Sequence, residues 1–191
     1  GSGYDNIQTK HARKKGIDVM TTPGANANAV AEEVIALMLA DARHLIPADI
    51  STRAGKWEKN LYMGRELSGK TVGIVGLGAI GQLVARRLSG FDVRLLGFDP
   101  VISQERARSV NVELVDLGAL FEQCDYITFH IPENNETRGL VNTALISRMK
   151  EGATLVNCAR AGILNEDDFR LLKTAKKLRL LHRRQHPYAA R

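Results

Sequence analysis

The stretch from Lys70 to Pro100 constrains this chain more than any other. Thr71–Val75 is a β-branched run suited to a buried parallel strand. The turn Gly76-x-Gly78-x-x-Gly81 follows at once, and Gln82–Leu88 reads as a helix with Ile80, Val84 and Leu88 on one face. A second apolar run, Val93–Phe98, ends in an acid, Asp99. Each part has a physical purpose around a dinucleotide. Gly76 permits a tight turn out of the strand, Gly78 leaves no side chain in the way of a pyrophosphate, and Gly81 lets helix and strand pack closely. The helix N-terminus offers unpaired N–H groups and a partial positive charge to the phosphates. Asp99, 18 residues after Gly81, stands where a carboxylate accepts hydrogen bonds from the adenosine ribose. An acid there repels a 2′-phosphate, and Val101-Ile102-Ser103 brings no arginine behind it, so the spacing predicts NAD rather than NADP.

The rest of the chain repeats the alternation. Val112–Val115, Asp125–Ile131 and Ala153–Cys158 read as strands, and Leu117–Gln123, Thr143–Met149 and the segment capped by Asn165 read as helices. Strands alternating with helices over short links predict an α/β fold, a Rossmann-type doubly wound parallel sheet. In such sheets ligands sit beyond the carboxyl ends of the strands. Gly76, Asp99, His130–Pro132 and Cys158–Arg160 all fall there, far apart in sequence and expected along one edge. Before this unit, Gln8–Lys15 suits a helix, Ile17–Met20 a short strand, and Ala27–Arg43 a longer helix with Asn26 or Asn28 as its cap and Glu32-Glu33 toward its positive end. That helix carries apolar residues on more than one side (Ile35 and Leu39 lie off the Val30, Val34, Leu37, Met38 stripe), which predicts burial by more than its own sheet, by a second subunit in preference to a purely internal core. Residues 44–69 read as irregular, held down by Trp57, Leu61, Tyr62 and Met63.

With 44% hydrophobic residues the chain can build a real core. No stretch of about 18 apolar residues occurs and the first residues are polar, so neither a membrane span nor a signal peptide is expected. Cys124 and Cys158 read as buried free thiols of a cytoplasmic protein. The net charge of +6 comes from the last residues: eight basic side chains and no acid follow Asp168, which leaves 19 basic and 21 acidic residues in 1–169. A nearly neutral body with a basic tail reads as a solvated helix face, and no nucleic-acid partner is expected.

These residues carry a pattern. Gly-Ser-Gly-Tyr-Asp-Asn-Ile at the start, Thr22-Pro-Gly-Ala-Asn-Ala-Asn-Ala-Val-Ala-Glu32, Gly55-Lys-Trp-Glu58, Leu67 through Gly81, and Val156-Asn-Cys-Ala-Arg160 follow in fixed order. In them the chain resembles the nucleotide-binding domain of the D-isomer-specific 2-hydroxyacid dehydrogenases, over residues 1 to about 178, and most of all the members that oxidise 3-phosphoglycerate. The resemblance implies residues 1–22 as a remnant of a substrate domain, 23–181 as the NAD-binding domain, and 182–191 as a divergent basic tail. It implies that Ala79, Ile80 and Asp99 hold the pyrophosphate and ribose, and that Ile131 and Pro132 border the adenosine half. Cys158, Ala159 and Arg160 then line the nicotinamide, and Arg160 matches the catalytic arginine that clamps the carboxylate of a 2-oxo acid and polarises its carbonyl. His130 reads as a structural histidine bordering that site, and Cys158 as packing, with no partner set to make it a nucleophile.

Three departures are visible. Ala79 stands where many members carry Arg, and Ala161 where Gly is usual. The Glu and His of the acid–base pair have no counterpart in His182–Arg191, where His182 and His186 stand in another context. The sixth strand is therefore expected to be absent or scrambled, and the sheet truncated at its C-terminal end. Function follows as a NAD-dependent oxidoreductase of small 2-hydroxy acids, with 3-phosphoglycerate to 3-phosphohydroxypyruvate (serine biosynthesis) as the favoured substrate pair. The chain would be the coenzyme-binding part of a homodimer, inactive alone. The alternative is a non-catalytic NAD-binding, dimerising module, and no metal is called for.

Overall fold

A computed structural model describes residues 3–4 and 7–182 of the chain. In order these form α1 (Thr9–Lys14), α2 (Ala27–Ala42), α3 (Leu45–Arg53), β1 (Thr71–Val75), α4 (Ala79–Leu88), β2 (Arg94–Phe98), α5 (Gln104–Arg108), β3 (Val112–Leu114), α6 (Leu117–Gln123), β4 (Tyr126–Phe129), α7 (Thr143–Ile146), β5 (Thr154–Asn157), α8 (Glu166–Lys173) and β6 (Arg179–His182). The strands make one parallel sheet in the order β3-β2-β1-β4-β5-β6. The order reverses at β1, between β2 and β4, which is where an open sheet leaves a crevice at its carboxyl edge.

Alternation along the strands feeds two cores. Val72 and Ile74 of β1, Tyr126 of β4 and Val156 of β5 face Val34, Met38, Val84 and Leu88 of α2 and α4. Val75, Ile127, Phe129 and Leu155 face Phe121 of α6, Ile146 of α7 and Phe169 of α8. Burying each Val, Leu, Ile or Phe contributes roughly 1.5–3 kcal/mol against exposure, so these two faces fix the register of the whole sheet. Asn165, Asp116, Asn142 and Ser103 cap their helices through side-chain oxygens.

Six expectations are corrected. The sixth strand is present: β6 pairs along the free edge of β5 from Thr154↔Arg179 to Asn157↔His182. Sheet addition needs a backbone and a few apolar side chains, and the divergent sequence still offers Leu178, Leu180 and Leu181. His182 thus belongs to the sheet rather than to the tail, whose remaining residues, His186 among them, lie outside the described ones. Ile17–Met20 forms no strand: Ile17 and Met20 are 56% and 89% exposed, so the run buries too little apolar surface to hold one. Residues 44–69 are not all irregular, because α3 spans Leu45–Arg53 with Pro47 in its first turn, where a missing N–H costs nothing. Trp57, Leu61 and Met63 do not hold that segment down: they are 86%, 66% and 73% exposed, and only Tyr62 is half-buried. At α2 the N-cap Asn26 makes no side-chain capping bond, and Asn28 and Glu32 instead take Arg87 of α4 at 3.1 and 3.4 Å.

Candidate coenzyme site

The glycine turn has the geometry its spacing predicts. Gly76 adopts φ +93°, and a Cβ there would lie 2.8 Å from Ile131 Cγ2 and 2.9 Å from the His130 carbonyl. A Cβ on Gly81 would be driven into the Gly76 carbonyl oxygen, so helix α4 can approach β1 only with hydrogen at that position. A Cβ on Gly78 would meet nothing within 4 Å. That glycine is needed by nothing inside the chain; its bare surface faces open space ahead of α4. Helix α4 opens with Ala79 and Ile80, and its first N–H groups have no intrahelical partner. A pyrophosphate fits this cradle, which a side chain at 78 would fill.

Asp99 follows the last residue of β2 and is half-buried. Its Oδ2 accepts from Leu77 N–H at 2.7 Å, and its Oδ1 from Val101 N–H at 2.9 Å and Ile102 N–H at 3.1 Å. Spacing alone assigns this carboxylate one task, the ribose. It also ties the glycine turn to the end of β2. A carboxylate has about four acceptor positions, so three amides leave room for a hydroxyl.

Beside the turn lies a cleft of about 400 Å³. Ile80, His130, Ile131, Pro132, Cys158, Ala159 and Arg160 line it, so seven of the expected residues, from three different crossovers, meet in one space. Gly76, Gly78, Ala79 and Gly81 stand outside its lining, on the glycine turn and the start of α4, and Asp99 stands outside it at the end of β2. Gly3, Tyr4, Asn26, Val30 and Glu133 also line it. Sequence reasoning missed all five. Nothing in their local pattern distinguishes them; Glu133 alone carried a signal, as the residue directly after the Pro132 that stops the strand.

Arg160 sits where β5 gives way to a tight turn over Ala161–Ile163. Asn157 builds the approach to it, donating from Nδ2 to the Arg160 carbonyl at 2.9 Å and accepting the Ala159 N–H at 3.1 Å. The Arg160 guanidinium donates to the Ala159 carbonyl at 3.1 Å and stays half-exposed to the cleft. On its other side a small recess brings in Glu166 and His182, the latter carried there by β6. Cys158 is half-exposed, a correction to its reading as buried, whereas Cys124 is buried and its thiol is pushed up to about 12 by that burial. His130 shares Nε2 with the Thr128 hydroxyl at 3.1 Å, while its buried Nδ1 meets no partner among the described residues. Burial pushes its pKa down to about 3, so the ring is neutral at physiological pH and half-satisfied rather than satisfied. Among the described residues no cluster of three or more metal-ligating side chains exists, and no helix is long and apolar enough to cross a membrane.

The profile described as D-isomer specific 2-hydroxyacid dehydrogenase, NAD binding domain, matches residues 35–181. A D-3-phosphoglycerate dehydrogenase of Archaeoglobus fulgidus is 45% identical over 166 residues, covering 87% of this chain and 32% of that one. A hydroxypyruvate reductase of Thermotoga maritima is 44% identical over 167 residues, covering 87% and 54%. Among solved structures, an NAD-dependent formate dehydrogenase from Staphylococcus aureus in complex with NAD superposes with a TM-score of 0.86 at 32% identity, over all of this chain and 58% of that one. The chain thus spans from about a third to somewhat over half of the length of these proteins. Fold, glycine turn and profile agree: the chain belongs to the D-isomer specific 2-hydroxyacid dehydrogenases and carries their NAD-binding domain.

Proposed function

We propose that this chain is the coenzyme-binding part of an oxidoreductase that interconverts D-2-hydroxy acids and 2-oxo acids, and that 3-phosphoglycerate and 3-phosphohydroxypyruvate are its substrate pair. The bare Gly78 surface leading into a cleft that ends at Arg160 is the observation that carries this reading. The backbone from Gly76 to Gly81, with Ala79 and Ile80 at the helix start, holds the pyrophosphate. Asp99 takes the adenosine ribose, and Ile131 and Pro132 border the adenosine half. His130, Cys158 and Ala159 enclose the nicotinamide, whose chemistry when bound is to accept or return a hydride. Arg160 grips the substrate carboxylate in two-point fashion and draws charge toward the carbonyl oxygen, with a cation that no physiological pH removes. The chain acts in the cytoplasm, as a homodimer.

The phosphoglycerate assignment is supported by the Archaeoglobus relative. A second reading, hydroxypyruvate with D-glycerate, is supported by the Thermotoga relative at nearly the same identity. Calorimetric titration of the chain tests the common core of both. NADH is expected to bind at least about tenfold tighter than NADPH, because the Asp99 carboxylate meets the 2′-phosphate. Equal affinity for the two, or no heat with either, overturns it. Assayed alone with NAD and 3-phosphoglycerate, the chain is expected to show negligible turnover, and steady NADH formation refutes that.

A further inference from the structure

Glu133 has no task in the coenzyme site, yet among the described residues that line the cleft it is the one acid. Its side chain is 21% exposed and pairs with Arg138 Nη2 at 2.8 Å. Its carboxylate lies flat on Gly162, two residues beyond Arg160: a Cβ on Gly162 would fall 2.5 Å from Glu133 Cδ and Oε1 and 2.6 Å from Oε2. Those are the three atoms nearest to that position. Gly162 has no left-handed φ, so its backbone would accept a side chain; Glu133 is what excludes one.

Around this contact two segments are sewn together. Gly139 N–H donates to the Gly162 carbonyl at 2.7 Å, Val141 N–H to Ile163 at 3.1 Å, and Asn165 N–H back to Val141 at 3.0 Å. Within the first segment the Thr137 hydroxyl donates to the Pro132 carbonyl at 2.6 Å, and Asn134 accepts the Glu136 and Thr137 amides. The loop over 132–141 and the turn over 160–164 therefore form one body, and Glu133 is the only acid of that loop shown to reach both Arg138 and the turn.

We propose that Glu133 is a positioning residue for Arg160: braced by Arg138, its carboxylate presses on Gly162 and fixes the turn that carries the arginine and its neighbour Ala159 at the nicotinamide end of the cleft. This rests on the coenzyme reading above. A site held to within about half an ångström needs such support beneath its contacting side chain.

The test uses Glu133→Ala, Gly162→Ala and the double variant in the whole chain, with NADH and with ADP-ribose, which lacks the nicotinamide. Each single variant is expected to weaken NADH by about threefold or more and to leave ADP-ribose within about twofold. Gly162→Ala keeps the negative charge and evicts it from its seat, so agreement between the two singles separates support from the carboxylate's own field. The double variant is expected to be no worse than either single, because both remove the same contact. Hydrogen exchange at Gly139 and Val141 is expected to quicken about tenfold or more, with Val72 and Ile74 of β1 still protected. Full additivity, equal loss of NADH and ADP-ribose, or unchanged exchange in Glu133→Ala overturns the proposal. If the unaltered chain binds neither nucleotide, the coenzyme reading falls, and the exchange rates alone decide whether the brace exists.

Discussion

Asp99 and His130 show how much a single residue can be asked to do here. The place of Asp99 at the close of the second strand was legible, because an acid there is a question of spacing. Its three amide partners were not legible, since Leu77 approaches only once the sheet is assembled. His130 was legible as a residue of the strand end and not as a ring with one nitrogen buried and unpaired. Its titration has a direction that can be measured. The folded ring resists protonation down to about 3, whereas an unfolded histidine takes a proton near 6.5. Below that value the unfolded chain binds a proton the folded chain refuses, so His130 makes stability fall as pH drops from about 6.5 toward 3, and adds no slope above. Between pH 7 and 5.5 the loss should be about 1 kcal/mol. Urea unfolding at the two pH values checks it: His130→Asn should remove most of that slope, and an unchanged slope would contradict the assignment.

At the scale of elements, the pieces with strong local patterns were all readable: β1, β2, α6, β4 and β5 formed within a residue or two of their expected bounds, and α4 starts three residues early, at Ala79 rather than Gln82. What failed was whatever depends on a partner distant in sequence. The sixth strand was expected to be lost with its motif, yet it is fastened by contacts no motif announces. Oδ2 of Asp41 in α2 accepts from Arg65 Nη2 at 2.9 Å and from Arg179 Nε of β6 at 3.1 Å, and Oδ1 lies 3.0 Å from the same Arg179 nitrogen. Arg179 further donates to the Thr154 hydroxyl at 2.8 Å and to the Gly152 carbonyl at 3.1 Å. The Arg65 guanidinium stands 5.5 Å over the Tyr126 ring. One nearly buried carboxylate thus joins a helix, a connector and the outermost strand. Its removal in Asp41→Ala leaves two half-buried cations without their acceptor, and the expected cost is about 2–3 kcal/mol. A lower urea midpoint at unchanged slope would show it; a shift within error would show the network to be idle.

For the molecule as a whole, the sheet and the crevice at its reversal were readable before any coordinates, because alternation and glycine spacing are local properties with a global consequence. The surface was not. Trp57, Leu61 and Met63 stand uncovered, as do Leu45, Ile46 and Ile50 of α3, themselves between 52% and 64% exposed. Exposed apolar side chains within one stretch of sequence, residues 45–63, suit the second copy proposed above. Sedimentation at micromolar concentration should give a dimer, and Trp57→Glu should yield monomer with the fold retained; a monomer in both cases would end that reading. The Arg179–Asp41 bond also runs from the last strand to the helix that leads into this surface. Trimming the chain at Leu178 should therefore be felt at the far side as weakened self-association, a lesion at one end reported by assembly at the other.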